Sequence, residues 1–186
     1  GDDGNDVAEI DIRLPLDQQV ELTIAAMQRG AAYIYQARLE HDGFAGYADF
    51  LVRQDGKSKL GDHYYEVWDT KLARSLKPYF VIQLCSYSEM LAAVQGRLPE
   101  SFAVVLGNGQ QEQRAVQKFQ FYFRTLQRHF LNYHQQFSPD GFPHPGLSNG
   151  HGRWGTFAAS YLRGTDHLSQ VASITRTQIK RLEAAG

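Results

Sequence analysis

Cysteine is nearly absent from this chain of 186 residues, since Cys85 is the only one. One cysteine cannot form a disulfide within the chain, and it cannot build an all-cysteine zinc or iron–sulfur site. The sequence also has no run of about 18 apolar residues and no secretory signal pattern at its start. These absences favour a reducing compartment and predict a cytoplasmic protein.

The composition is that of a folded domain, with 42% hydrophobic and 21% charged residues. The length suits one domain, or one domain with a small appendage. The charge is uneven along the chain. Residues 1–100 carry 10 basic and 16 acidic side chains, whereas residues 101–186 carry 9 basic and 4 acidic ones. This asymmetry suits an acidic half that attracts a cation and a second half that tolerates a polyanion.

The chain divides into four predicted parts. Residues 1–16 are rich in Asp and Gly, which indicates a flexible leader. A mixed α/β core follows over 17–137, then a loop or linker over 138–152 that is rich in Pro and Gly. Residues 153–186 are predicted to be helical, with a capping box formed by Thr175 and Gln178.

Within the core, a first helix over 17–29 is predicted to begin at Asp17 as its N-cap and to end at Gly30. Three β-rich segments at 31–39, 46–53 and 64–71 are separated by short turns, which predicts an antiparallel meander.

A second helix is predicted from Pro78 to Gly96, followed by a buried strand over 101–106 and a possible strand over 113–117. Residues 119–137 are predicted to form a long helix with an aromatic stripe, which we expect to be its core-facing side.

Two carboxylates and a lysine lie on neighbouring strands of this meander. Side chains alternate across a strand, so Asp69 and Lys71 share one face. If Asp49 faces them from the adjacent strand, the two carboxylates and a backbone carbonyl could hold Mg²⁺ or Mn²⁺. The alternative is an ordinary surface ion pair between Asp69 and Lys71, because D-x-K is a short and common pattern.

The predicted second helix carries Gln83 and Tyr87 four residues apart, so both project from one helical face. With Gly46 to Asp49 on one strand and Asp69 to Lys71 on another, the chain has a G-x-x-D strand, a D-x-K strand and a Q-x-x-x-Y helix in that order. This combination resembles the RecB-like branch of the PD-(D/E)XK nuclease superfamily. The resemblance covers about residues 17–137.

The resemblance implies a restriction-endonuclease-like fold with a mixed central sheet flanked by helices and a helical C-terminal appendage. Asp49, Asp69 and the Thr70 carbonyl would bind Mg²⁺ or Mn²⁺, and Lys71 would be the catalytic lysine. Gln83 and Tyr87 would face the substrate or the active-site strands, although they could instead only close the helix onto the sheet.

Relatives in this family also place an acidic residue, a glutamine or a histidine before the G-x-x-D strand. Glu21 on the first helix and Gln36 on the first predicted strand are candidates, and Glu40 and His41 lie nearer the turn. Several relatives carry an iron–sulfur cluster held by flanking cysteines. Because Cys85 stands alone, no iron–sulfur cluster is expected here.

The C-terminal segment resembles the start of a helix-hairpin-helix element, in which Arg176, Lys180 and Arg181 would face DNA phosphates. A helical cap over the sheet is an equal alternative. The whole pattern predicts a metal-dependent DNA nuclease that belongs to a longer DNA-processing protein, with a helicase or other domains as partners. The competing hypotheses are an inactive DNA-binding or protein-interaction module on the same fold, and a scaffold with no nucleic-acid role.

Overall fold

The computed structural model describes residues 6–148 and 150–185. It divides into two compact units, residues 1–131 and residues 132–186. The strands are β1 Val7–Glu9, β2 Tyr33–His41, β3 Phe44–Ser58, β4 Gly61–Lys71, β5 Ser101–Leu106 and β6 Gln111–Ala115. The helices are α1 Leu16–Gln28, α2 Pro78–Gln95, α3 Gln117–Gln135, α4 Gly155–Gly164 and α5 Arg176–Ala185.

The first unit is built on a six-stranded mixed sheet in the order β1-β2-β3-β4-β5-β6, flanked by helices. The three central strands β2, β3 and β4 pair antiparallel, which confirms the predicted meander. The pairs β1–β2 and β4–β5 are parallel, and each is connected through a helix, α1 or α2. Parallel strands run in the same direction, so the chain must return to the starting end of the sheet before the second strand begins. A helix can make this connection, whereas a tight turn joins only antiparallel strands.

The core forms where the helices cover the sheet. Leu51 on β3 lies opposite Val67 on β4, and both are fully buried. Leu84 and Leu91 from α2 belong to the same cluster. Burial of a large aliphatic side chain contributes about 1.5–3 kcal/mol, so each of these side chains stabilises the unit.

Helix α2 follows its sequence signals closely. Pro78 occupies the first helical position, where its missing N–H costs nothing. Gly96 ends the helix in the left-handed region at φ 65°, and its N–H bonds to the Ala92 carbonyl. The helix therefore spans the predicted residues.

Helix α1 begins differently from the prediction. Asp17 does not cap it, because Pro15 occupies the N-cap position and no side chain caps the helix. Asp17 lies inside the first turn, where its charge still suits the helix dipole. Asp17 therefore lies in the first turn of the helix but does not cap it.

The leader prediction for 1–16 is wrong in the part that the structure describes. Val7–Glu9 form β1, paired in parallel with Tyr33, Ile34 and Tyr35, and Ile10 is buried. Residues 1–5 lie outside the described residues. Three residues are too few to show the alternation of buried and exposed side chains that identifies a strand. Pairing with β2 stabilises β1, and the local sequence of β1 carries no signal of that pairing.

The aromatic stripe of α3 was expected to be the core of that helix, and this is only partly correct. Phe123 is buried, and the Phe119 ring packs 6.0 Å from that of Phe102. Tyr122, Leu126 and Phe130 are exposed instead. Periodicity identifies an apolar helix face, but it does not reveal whether a partner covers that face.

The second unit contains α4, α5 and short 3₁₀ turns, two of which lie in the predicted loop 138–152. The capping box is confirmed, since the Gln178 side chain accepts from both the N–H and the hydroxyl of Thr175. The Gln178 N–H donates back to Thr175 Oγ1. In the described part of the chain, no helix has the length and apolar character needed to cross a membrane.

Candidate active site

The candidate site lies where β3 and β4 separate. Their pairing ends at Phe50 opposite Trp68. Two residues beyond Trp68, the Thr70 N–H donates at 2.9 Å to Oδ2 of Asp49, which is next to Phe50 on β3, and the Thr70 hydroxyl donates to the same oxygen at 2.7 Å. A carboxylate thus replaces the backbone acceptor that a continuing ladder would supply. The end of the ladder therefore fixes the position of Asp49.

The strand on the other side of β3 is irregular at the same level. Gln36 lies between the pairs Tyr35–Phe50 and Ala37–Ala48, which places it opposite Asp49, and its φ is 56°. The left-handed region is costly for a residue other than glycine. The burial pattern of β2 changes phase there, since Ile34 and Ala37 are both buried although they are three residues apart. Gln36 is thus the upstream candidate that the structure brings next to Asp49.

Asp69 and Lys71 form the other half of the site, and their contact confirms that they share a face. Asp69 is almost completely buried, and Lys71 Nζ lies 2.6 Å from Asp69 Oδ2. This oxygen accepts no hydrogen bond of standard geometry among the described residues, so its contact with Lys71 is an ion pair. The Lys71 ammonium also lies 5.4 Å from the centre of the Phe80 ring, within cation–π range.

The two carboxyl groups are electrostatically coupled. Burial raises the pKa of Asp69 to about 6, helped by its hydrogen bond with Asp49, while Lys71 opposes the rise. Burial also opposes ionisation of Asp49, but hydrogen bonds from Asp69 and Thr70 lower its pKa below the ordinary value. In the metal-free protein, Asp69 therefore holds a proton more readily than Asp49 does.

Gln83 and Tyr87 face the sheet as a pair. The Gln83 amide donates to the Tyr87 hydroxyl at 3.2 Å. A Cβ at Gly46 would lie 2.6 Å from the Tyr87 ring, so Gly46 on β3 leaves the space that this ring occupies. The first residue of G-x-x-D and the last of Q-x-x-x-Y are therefore packed against each other.

This contact makes Gly46→Ala destabilising. Tyr87 is largely buried, so its ring cannot move away freely, and overpacking of this kind costs about 1–3 kcal/mol. We expect a lower Tm in thermal unfolding, partly recovered in Gly46→Ala/Tyr87→Leu because the colliding ring is gone.

Gly155→Ala is the matched control, since no atom lies within 4 Å of a Cβ there and the position is the first of α4. This variant should keep its Tm or gain slightly. A Gly46→Ala protein as stable as the wild type would contradict the close packing.

The remaining predicted site residues are on α1 and α5. Glu21 is exposed on α1. Arg176, Lys180 and Arg181 are exposed on α5 in the second unit, and the Arg176 guanidinium donates to the Leu147 carbonyl at 2.7 Å. Arg176 thus holds the turn at Leu147, and a role of these cations in DNA binding remains a prediction.

Two features of the site were not found from the sequence. Phe80 belongs to the apolar pattern of α2, which predicted burial but not its contact with the Lys71 ammonium. Thr70 was considered only for its carbonyl, whereas its N–H and hydroxyl fix Asp49. Neither contact has a local sequence signal, because each depends on how two elements pack.

The donor set fits a hard divalent cation. Asp49 and Asp69 offer carboxylate oxygens, and Asp69 Oδ2 is buried in contact with the Lys71 ammonium. Magnesium is commonly held by one or two carboxylates and keeps several waters. Among residues 6–148 and 150–185, no group of three or more His, Cys, Asp and Glu side chains is arranged for a metal. A cation here would therefore depend on two carboxylates, water and backbone oxygen.

No protein-family model matches the chain, and a search of curated proteins finds no match.

Proposed function

We propose that this protein is a Mg²⁺- or Mn²⁺-dependent DNA nuclease that hydrolyses phosphodiester bonds, with a RecB-like PD-(D/E)XK core. The observation that carries the proposal is the meeting of Asp49, Asp69 and Lys71 at the point where β3 and β4 separate. An ordinary surface ion pair on an exposed strand would not bury Asp69 or couple it to a second carboxylate. The burial of Asp69 and its coupling to Asp49 therefore argue against an ordinary surface ion pair between Asp69 and Lys71.

Asp49 and Asp69 are the residues that would hold the metal, with the Thr70 carbonyl proposed as a further ligand. When bound, Mg²⁺ or Mn²⁺ supplies charge stabilisation at the phosphate and lowers the pKa of a coordinated water. Cation binding also suits the coupled carboxyl pair, because it would displace the proton that Asp69 otherwise holds near its pKa of about 6.

Lys71 contributes a charge held at a defined position. Its ammonium is anchored by Asp69 on one side and lies near the Phe80 ring on the other. Such an ammonium can orient a water and stabilise the negative charge that develops on a phosphate under attack. Thr70 contributes by holding Asp49 with two donors, which keeps that carboxylate ionised and oriented.

The proposal is tested by incubating the protein with linear single-stranded and duplex DNA in Mn²⁺, in Mg²⁺ and in EDTA. We expect cleavage with either metal and none in EDTA. Asp69→Asn should reduce the rate by about 10²-fold or more, because it removes a charged ligand. Asp62→Asn is the matched control, since Asp62 is exposed on the same strand, and it should cleave at the wild-type rate.

Two outcomes would contradict the nuclease proposal. Cleavage that survives Asp69→Asn would show that the activity belongs to another site or to a contaminant. DNA binding that persists in EDTA, without cleavage in any divalent metal, would instead support a binding module on the same fold.

A further inference from the structure

The chain between the candidate site and α2 exposes apolar groups to solvent. We call residues 71–79, from Lys71 to the second residue of α2, the 71–79 segment. Within it, Leu72 is 97% exposed and Tyr79 is 65% exposed. Isolated exposed apolar side chains are common, but an aromatic ring next to a candidate active site can contact a substrate.

Two ring contacts connect Tyr79 to the site. Lys71 Nζ lies 5.4 Å from the centre of the Phe80 ring. The Phe80 and Tyr79 rings are 4.5 Å apart and nearly perpendicular. Phe80 is buried, so it fixes both neighbours. The Tyr79 ring therefore lies no farther from the Lys71 ammonium than the sum of these two distances, and it is open to solvent.

The charge of this region is complementary to a polyanion. Residues 70–88 include Lys71, Arg74 and Lys77 and contain no Asp or Glu. Arg74 and Lys77 are exposed, and neither makes an ion pair within the described ranges 6–148 and 150–185. Proteins that bind single-stranded nucleic acids combine these two features. Their cations contact the phosphates, and their exposed aromatic rings stack on the bases.

The 71–79 segment is also held in place. The Gly107 N–H donates to the Ala73 carbonyl at 3.1 Å, and a Cβ at Gly107 would collide with the Leu72 carbonyl. This close approach of two backbones anchors the segment to the turn after β5. An anchored surface loses little conformational freedom when a ligand binds.

We propose that the 71–79 segment binds a single DNA strand, with a base stacked on Tyr79 and neighbouring phosphates on Arg74 and Lys77. The inference rests on the proposed nuclease function and specifies its substrate. A base can stack on the tyrosine ring only when one face of that base is free. Inside a duplex, both faces of each base are stacked on neighbouring bases. The enzyme therefore acts on single strands, or on ends that open into single strands.

The test is binding of a fluorescein-labelled 15-residue oligothymidylate, and of a hairpin duplex, in EDTA so that no cleavage occurs. Tyr79→Ala should weaken oligothymidylate binding about 5- to 100-fold, the usual effect of removing one stacking ring. Tyr79→Phe keeps the ring and should bind like the wild type. Tyr33→Ala removes another exposed tyrosine, on β2, and should also bind normally.

Salt dependence tests the cations separately. For a single strand, the logarithm of affinity falls with the logarithm of salt concentration by about 0.7 per phosphate contact. Arg74→Gln and Lys77→Gln should each reduce the slope by about this amount. Lys57→Gln removes an exposed lysine from β3 and should leave the slope unchanged.

Each result counts for or against the proposal. Wild-type affinity in Tyr79→Ala, tighter binding of the duplex than of oligothymidylate, or an unchanged salt slope would overturn it. Binding is measured without a metal, so the two proposals can fail separately. Tyr79-dependent binding without cleavage would refute only the nuclease function, whereas cleavage of single and double strands that ignores Tyr79 would refute only this substrate assignment.

Discussion

If the protein is the nuclease proposed above, Lys71→Met should reduce the rate of DNA cleavage by about 10²- to 10⁴-fold while leaving metal binding intact. The ammonium is the positive group closest to Asp69, at 2.6 Å, and its loss removes the charge that would orient a water and stabilise the phosphate. Removing a cation beside two carboxylates should also strengthen their attraction for Mn²⁺. The expected result is therefore a low rate together with an equal or larger rise of Tm on adding Mn²⁺.

Two variants control this experiment. Lys71→Arg retains a positive charge and should keep part of the activity, although its planar group cannot occupy the same point. Lys57→Met removes an exposed lysine from β3 and should cleave normally. If Lys71→Met cleaved at the wild-type rate, the lysine would be only a partner for Asp69. If it lost the Mn²⁺ response as well, its role would be to organise the carboxylates.

Asp69→Asn should stabilise the metal-free protein at pH 7.5 by about 1–3 kcal/mol. Burial raises the pKa of Asp69 to about 6, so the folded protein holds a proton that the unfolded chain releases above its ordinary value near 3.8. Stability therefore falls as pH rises from about 4 to 6, and the penalty persists above pH 6. Each unit of pKa is worth about 1.4 kcal/mol, and the value of about 6 already includes the opposing effect of Lys71.

The variant and wild type should therefore unfold at similar temperatures near pH 4, diverge as pH rises to about 6, and keep a constant difference above pH 6. For a chain of this length, the difference corresponds to several degrees of Tm in the absence of metal. Asp62→Asn, exposed on the same strand, should show no such divergence. An Asp69→Asn protein that is less stable at pH 7.5, or equally shifted at pH 4, would contradict the proposed penalty. Adding Mn²⁺ should stabilise the wild type and not the variant.

Much of the sheet could be predicted because its signals are local. Alternation on β4 placed Asp69 and Lys71 on one face, and their ion pair confirms it. Pro78 and Gly96 bound α2, and the antiparallel meander followed from short turns. In each case a few neighbouring residues carried the information. The functional roles assigned to these residues remain predictions.

The geometry around Asp49 could not be predicted because it depends on where strand pairing stops. The hydrogen bonds from Thr70 exist only because β3 and β4 part after Phe50 and Trp68. The left-handed conformation of Gln36 is likewise set by neighbouring strands, since glutamine has no preference for it. On α3 the local pattern was strong, but the prediction drawn from it was wrong in part. The apolar spacing predicted a buried face, and several side chains of that face are exposed.

The edge strand β6 has a consequence for how the protein behaves at high concentration. β6 pairs with β5 on one side and forms the sheet edge on the other, and its sequence is Gln-Glu-Gln-Arg-Ala. An unpaired strand edge invites another chain to add to it, and charged side chains oppose that addition. With Glu112 and Arg114 paired along it, this border discourages the growth of intermolecular sheets.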